Sequence, residues 1–491
     1  MMTNFRRTVK ATFVLFSLLL SPAIAQQDIS QRQSAQIIGS ILMGGHSIDY
    51  ARGLSDGFGG RVSGSDAYQR ATEWAASQFR AIGIKDVRLE PFTIPNGWER
   101  ISAQARMIAP LDRRLQVQSY GWAPSTPPEG VTGEVVYVRH ILSLERIKAE
   151  AAKIKGNIVL INGESFSADE QFLDSKYMAS ERLLKELGAR AILVTGSADN
   201  NVTSSWDDTW GGKLEPIPIA EIGMEDGKLI ERLLRNGPVT MKLVCENKVS
   251  GPVQVNNVVA EIRGREKPDE WILIGAHLDS WDQGTGAQDN GAGCAMVLEA
   301  ARAIALLNTP PRRSIRFVLW GGEEQGLLGS MAYVRQHASE MKQCIVALNT
   351  SLGAGHPVGW TIRGNSDLRN AVSPLAQSLS GLGGAGMKVE VKFEELSDWG
   401  TFLLAGIPTL DLWVDMTPYW EIHHKPSDTF DKIDAHNLAT GSGIMAVTAY
   451  LIADQPTPIS QHLDQAAVDK VLRDAGAYDT VRDLRGLGVL K

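Results

Sequence analysis

From Val255 onward, short and almost uninterrupted apolar runs alternate with stretches of helical spacing. The runs are Trp271 to Ala276, Ser314 to Trp320, Ile345 to Leu348 and Pro408 to Trp413; Gly291 to Leu307 and Ser366 to Leu379 read as helices between them. A strand without polar alternation is covered on both faces. The pattern therefore predicts an α/β layer architecture built on a buried sheet. In such sheets the chemistry collects at the strand ends and in the loops beyond them.

Upstream the rhythm differs. Residues 27–110 read as helices followed by strands. Ala67 to Phe79 has helical spacing, with Tyr68, Ala71, Ala75 and Phe79 on one face, and Val87 to Phe92 alternates like a strand. A Pro-rich stretch from Trp122 to Gly130 marks a composition shift. Beyond it, Ile158–Ile161 and Ala191–Thr195 look like short buried strands with helical segments between. No cluster in 112–250 has catalytic spacing, so this region is expected to be a separate inserted lid or docking domain. Residues 456–491 read as a polar tail of helical character.

Length and composition change the picture in three ways. The 491 residues exceed one ordinary core, and an apolar fraction of 43% with 21% charged residues excludes a disordered chain. Residues 1–25 combine Arg6, Arg7 and Lys10, the apolar run Ala11 to Leu20, Pro22 and the small-x-small site Ala23-Ile24-Ala25. This is a secretory signal pattern, and the run is half the length a membrane span needs. The expected product is secreted or periplasmic, with no membrane span. The net charge of −7 becomes more negative once those three cations leave, which argues against nucleic acid as a partner. Cys245, Cys294 and Cys344 exclude a disulfide scaffold and read as buried free thiols.

Two glycine motifs are decoys. Gly381 to Gly386 matches G-x-G-x-x-G but leaves a helix and enters a strand, the reverse of a dinucleotide loop. Gly53 to Gly57 matches G-x-S-x-G without the apolar strand a nucleophile elbow requires.

Four segments carry metal-type side chains at strand ends: His277-Leu278-Asp279, Asp289-Asn290-Gly291, Glu323-Glu324 and His423-His424 with Asp428. Singly, each has a bland explanation as a satisfied histidine, a helix cap or a solvated loop. Together they form a nitrogen and oxygen ligand set of the kind zinc accepts. A spare carboxylate beside a ligand is what metal-assisted hydrolysis needs.

These stretches, together with Leu319 to Gly326 and Gly284 to Gly291, resemble the M28 family of zinc metallopeptidases, and within it the carboxypeptidase Q branch. The resemblance covers about residues 30–455. It implies a three-layer α/β/α zinc-exopeptidase domain (26–111 and 251–455) carrying an inserted protease-associated-type domain (112–250). It further implies that Asp289 bridges two zinc ions, that His277 binds one with Asp279 behind it, and that Glu324 and His424 bind the other. Glu323 resembles the general base, and His423 sits where it contacts the developing oxyanion. Ser397 to Gly400 resembles a stretch near the substrate site.

One position departs from the family. Leu348-Asn349-Thr350-Ser351 has serine where the family carries an aspartate ligand. Two dications would then keep uncompensated positive charge in a partly dry cleft, which is costly. One zinc is firmly expected and the second, at His277, weakened; a water or a swung-in carboxylate such as Asp282 is the way to restore it. The expected activity is exopeptidase or dipeptidase cleavage of a short peptide, by the chain alone or as a homodimer. The alternatives are a catalytically silent binding protein and a single-zinc acyl transferase resembling glutaminyl cyclases.

Overall fold

The computed structural model describes residues 22–162, 174–207, 209–363, 366–382, 388–392 and 396–486. Most of the signal pattern, 1–21, lies outside the described residues. Pro22 lies within the described helix Pro22–Gly44.

Two eight-stranded sheets organise the chain. In the first, the parallel strands Arg313–Trp320, Lys267–His277, Cys344–Asn349 and Thr409–Val414 are neighbours. Antiparallel strands Asp86–Ile94 and Val253–Ile262 extend one edge, and Pro357–Ile362 with Lys388–Val391 the other. The predicted runs are all here, and their continuity has a physical reason. Ile272, Ile274 and Phe317 pack with Ala292–Ala305 and Ala435–Ala453 on one face. Trp271, Leu273 and Trp320 meet Tyr333 and Phe402 on the opposite face. The predicted helix face of Tyr68, Ala71, Ala75 and Phe79 is buried in the first of these clusters, on Asp66–Ala81.

The second sheet runs from Trp98–Ala109 to Thr240–Val249, with a parallel centre of Val131–Val138, Ile158–Asn162, Ala191–Thr195 and Ile219–Ile222. The chain crosses between sheets after Ile94, earlier than position 112, because Trp98–Ala109 pairs along its length with Thr240–Val249. Its own cores cover both faces of that parallel centre.

Three sequence features are seen in more detail. Ser366–Val372 is α-helical but continues as the 3-10 turn Ser373–Leu382, where Pro374 interrupts α hydrogen bonding. The tail folds into Gln465–Asp474 and Tyr478–Gly486, and Val468 and Leu472 pack against Leu327 and Met331. All three cysteines are buried and free.

Candidate metal centre

The parallel register brings the four segments together. His277 ends its strand opposite Trp320, the last residue before the Glu323-Glu324 turn. The loop from Leu278 to Gly286 is held by Arg61, whose buried guanidinium donates to the carbonyls of Leu278, Gly59, Thr285 and Gly286. Asp428 then fixes the ligand turn: its carboxylate accepts from the N–H groups of Gln288 (2.7 Å) and Asp289 (3.1 Å). Asn290 caps the following helix by accepting from Gly293 N–H. On the far side, Asp279 accepts from the N–H groups of Glu323 (3.2 Å) and Glu324 (3.3 Å). Its carboxylate therefore positions the glutamate turn. His277 Nδ1 meets the Asp279 backbone carbonyl at 3.1 Å, with the Asp279 carboxylate also behind it at 3.8 Å. A carbonyl only accepts, so Nδ1 carries the proton and Nε2 is left for the centre.

Asp289 is the hub. Its Oδ1 lies 3.3 Å from His277 Nε2, and its Oδ2 lies 3.3 Å from His424 Nε2 and 3.7 Å from His423 Nε2. His424 Nε2 is also 3.0 Å from Glu324 Oε2. Four donors held 2.0–2.1 Å from a zinc ion stand about 3.3 Å apart in a tetrahedral array. The separations of Asp289 and Glu324 from His424 are close to that edge, and Glu324 Oε1 and His424 Nδ1 are buried without a hydrogen-bond partner among the described residues. The donor set fits a zinc ion.

Electrostatics point the same way. Burial lifts Glu324 to about 7, with Asp289 adding to the shift. Burial also holds Glu323 well above the ordinary carboxylate range. Asp289 lies well below it, because hydrogen bonds from His277 and His424 overcome its burial. Those imidazoles are correspondingly raised, His424 to about 10 against its own burial, chiefly by Glu324. His423 goes the opposite way, pushed down by burial and by the neighbouring His424. This is a cluster of carboxylates and imidazoles that a cation would relieve.

Of the residues expected from sequence, His277, Asp279, Asp289, Glu323, Glu324 and His424 converge. His423 belongs to the same group, since its ring lies with Asp289 and His424 within ligand spacing. Ser351 is buried, with Asn349 Nδ2 at 3.5 Å from its hydroxyl. Asp282 does not approach the centre as a substitute ligand: the buried guanidinium of Arg100 holds it in an ion pair. The G-x-S-x-G stretch lies inside the helix Ser47–Phe58. Of the G-x-G-x-x-G stretch, Gly381 and Leu382 close the 3-10 turn, and 383–386 lie outside the described residues.

The sequence pattern missed the second sheet's contribution. The loop after Asn201 reaches the site: Ser205 N–H donates to the His424 carbonyl (2.8 Å), and Gly211 N–H to the Gln325 carbonyl (2.6 Å). The Trp206 indole stands edge-on to His424 at 4.5 Å. These contacts depend on how two sheets meet, for which local sequence has no signal.

Comparison with known proteins agrees with this geometry. The profile of peptidase family M28 matches residues 257–449. Carboxypeptidase Q of Bos taurus is 30% identical over 406 residues, covering 82% of this chain and 84% of that protein. The crystal structure of an M28 peptidase precursor from Shewanella amazonensis superposes with a TM-score of 0.77 at 29% identity, over 89% of this chain and all of that one. A zinc aminopeptidase from Bacillus subtilis shares the fold at a TM-score of 0.65 and 22% identity, over 85% and 97% of the two chains.

Proposed function

Because the chain belongs to peptidase family M28, we propose that it is an exported zinc-dependent exopeptidase or dipeptidase acting on short peptides, with Glu323 as its general base. It is a peptide-bond hydrolase, and zinc is its metal. The observation that carries the finer reading is the approach of both Asp289 and Glu324 to His424 Nε2, at 3.3 and 3.0 Å, with His277, Asp289 and Glu324 also grouped at ligand spacing and a further carboxylate, Glu323, on the adjoining residue.

Zinc, when bound, polarises the scissile carbonyl and lowers the pKa of water towards neutrality. Asp289, Glu324 and His424 would hold it. Asp279 fixes the backbone of the turn from which the Glu323 side chain extends. Glu323 takes a proton from the attacking water and returns one to the leaving amine. Its burial supports that role, because a raised pKa makes the carboxylate a better base.

The His277 position is read as the weaker of two metal sites. It has Asp289 in common with the first site, and Ser351 supplies no charge where the family carries a carboxylate. Residues 98–249, which carry the second sheet, are read as the protease-associated-type insertion in a three-layer α/β/α peptidase domain. Export rests on the pattern in residues 1–25; among the described residues no helix is long and apolar enough to cross a membrane.

Hydrolysis of a dipeptide panel by zinc-loaded protein tests the reading. Glu323→Gln should lower turnover by about 10²- to 10⁴-fold while zinc content is retained. Equal inertness of wild type and variant across the panel would refute the hydrolase assignment.

A further inference from the structure

Twelve tryptophans occur in the chain, and only Trp206 and Trp420 fall among its exposed large apolar residues, at 40% and 41%. An indole is normally covered, because leaving so much apolar area in water is unfavourable. Both exposed indoles meet the same imidazole. Trp206 stands edge-on to His423 at 5.7 Å and Trp420 at 5.0 Å, with interplanar angles of 73° and 80°. Trp206 also approaches His424 at 4.5 Å.

They arrive by independent routes. Trp206 comes from the second sheet's loop, pinned by Ser205 N–H on the His424 carbonyl and by Gly121 N–H on its own carbonyl. Trp420 sits on the helix Thr417–Ile422, which leads directly into the histidine pair. His423 Nε2 lies 3.7 Å from Asp289 Oδ2, so the aromatic rim begins where the polar centre ends. The nearest cation in sequence, Lys425, donates its amine to the carbonyls of Trp420 and Glu421. That geometry leaves an apolar wall beside the reacting position, with its adjacent ammonium already engaged.

We propose that Trp206 and Trp420 are specificity-determining residues that receive a bulky apolar side chain, aromatic above all, on the substrate residue next to the scissile bond. Aromatic faces and edges recognise such groups through area and quadrupole complementarity. The inference rests on the hydrolase reading above and names its substrate class. Because Trp206 comes from a loop of the second sheet's region and Trp420 from a helix that follows the first sheet's strand Thr409–Val414, the preference also needs both regions in place.

The test is binding and turnover of Phe-Ala, Ala-Phe and Ala-Ala. With zinc-loaded wild type, at least one phenylalanine dipeptide should exceed Ala-Ala in kcat/KM by about tenfold. Trp206→Ala and Trp420→Ala should each shrink that ratio severalfold, mainly through KM, with zinc content unchanged. Trp206→Phe should restore most of it. Calorimetric binding in the Glu323→Gln background provides a readout without turnover: the same preference should appear there and vanish when Trp206→Ala is added. An inert wild type would defeat the hydrolase reading, while calorimetry would still decide the rim. Equal affinity for Phe-containing dipeptides and Ala-Ala, or a preference unaltered by both tryptophan variants, would overturn the inference.

Discussion

Asp289 turns one carboxylate oxygen towards His277 and the other towards His424, both at 3.3 Å. The two halves of the cluster therefore compete for one negative charge, and the neutral side chain at 351 adds none to it. Ser351→Asp should raise bound zinc from near one to near two ions per chain, read by elemental analysis; wild type already holding two would refute the weak-site reading. The imidazole shifts give a second residue-scale expectation. In the metal-free protein His424 is raised from 6.5 to about 10, so near pH 7 it carries a proton that zinc must displace. Glu324, raised from 4.5 to about 7, adds partial protonation. Zinc affinity should thus fall as pH drops below 10 and fall further through 7. Calorimetry near pH 7.5 in buffers of differing ionisation enthalpy should show about one proton or more released per ion.

At the scale of elements, the central strands were legible because helices cover both their faces, which makes their apolar runs continuous. Other elements escaped for equally physical reasons. Ala435–Ala453 is buried at nearly every position from Thr440 onward, so it has no polar stripe and no period to read. The loop joining His277 to Asp289 depends on Arg61, a residue more than two hundred positions upstream that no spacing rule connects to it. Its side chain is fully buried and serves four backbone carbonyls with five N–H donors. Arg61→Met keeps the apolar stem but leaves those carbonyls without their donor. Each hydrogen bond to a charged group contributes about 1.5–3 kcal/mol, so denaturant unfolding should show a loss of about 3 kcal/mol or more. Zinc affinity should drop with it, because the loop presents Asp289. A variant with wild-type stability and zinc content would show that the loop is held by other means.

Across the whole molecule, the second sheet is joined to the metal centre through main-chain hydrogen bonds as well as through Trp206. Ser205 N–H donates to the carbonyl of the proposed ligand His424, and Gly211 N–H to the carbonyl of Gln325, one residue past the proposed ligand Glu324. Arg100, at the start of the second sheet, holds Asp282 in the loop that leads from His277. Three of the four ligand segments are thus tied to residues 98–249, although none of those residues is itself a proposed ligand. A cation that orders Glu324 and His424 must also steady the carbonyls beside them, and with these the amides that bind them. Hydrogen exchange at Ser205 and Gly211 should therefore slow when zinc is added to chelator-stripped protein, alongside the slowing at Asp289. A bound ligand at a thousandfold excess over its dissociation constant stabilises the native state by about 4 kcal/mol, and opening events that break the site are slowed in proportion. If exchange at the two amides were unchanged by zinc while Asp289 became protected, the sheets would open independently. The second sheet would then be a passive wall beside the centre, with no share in holding it.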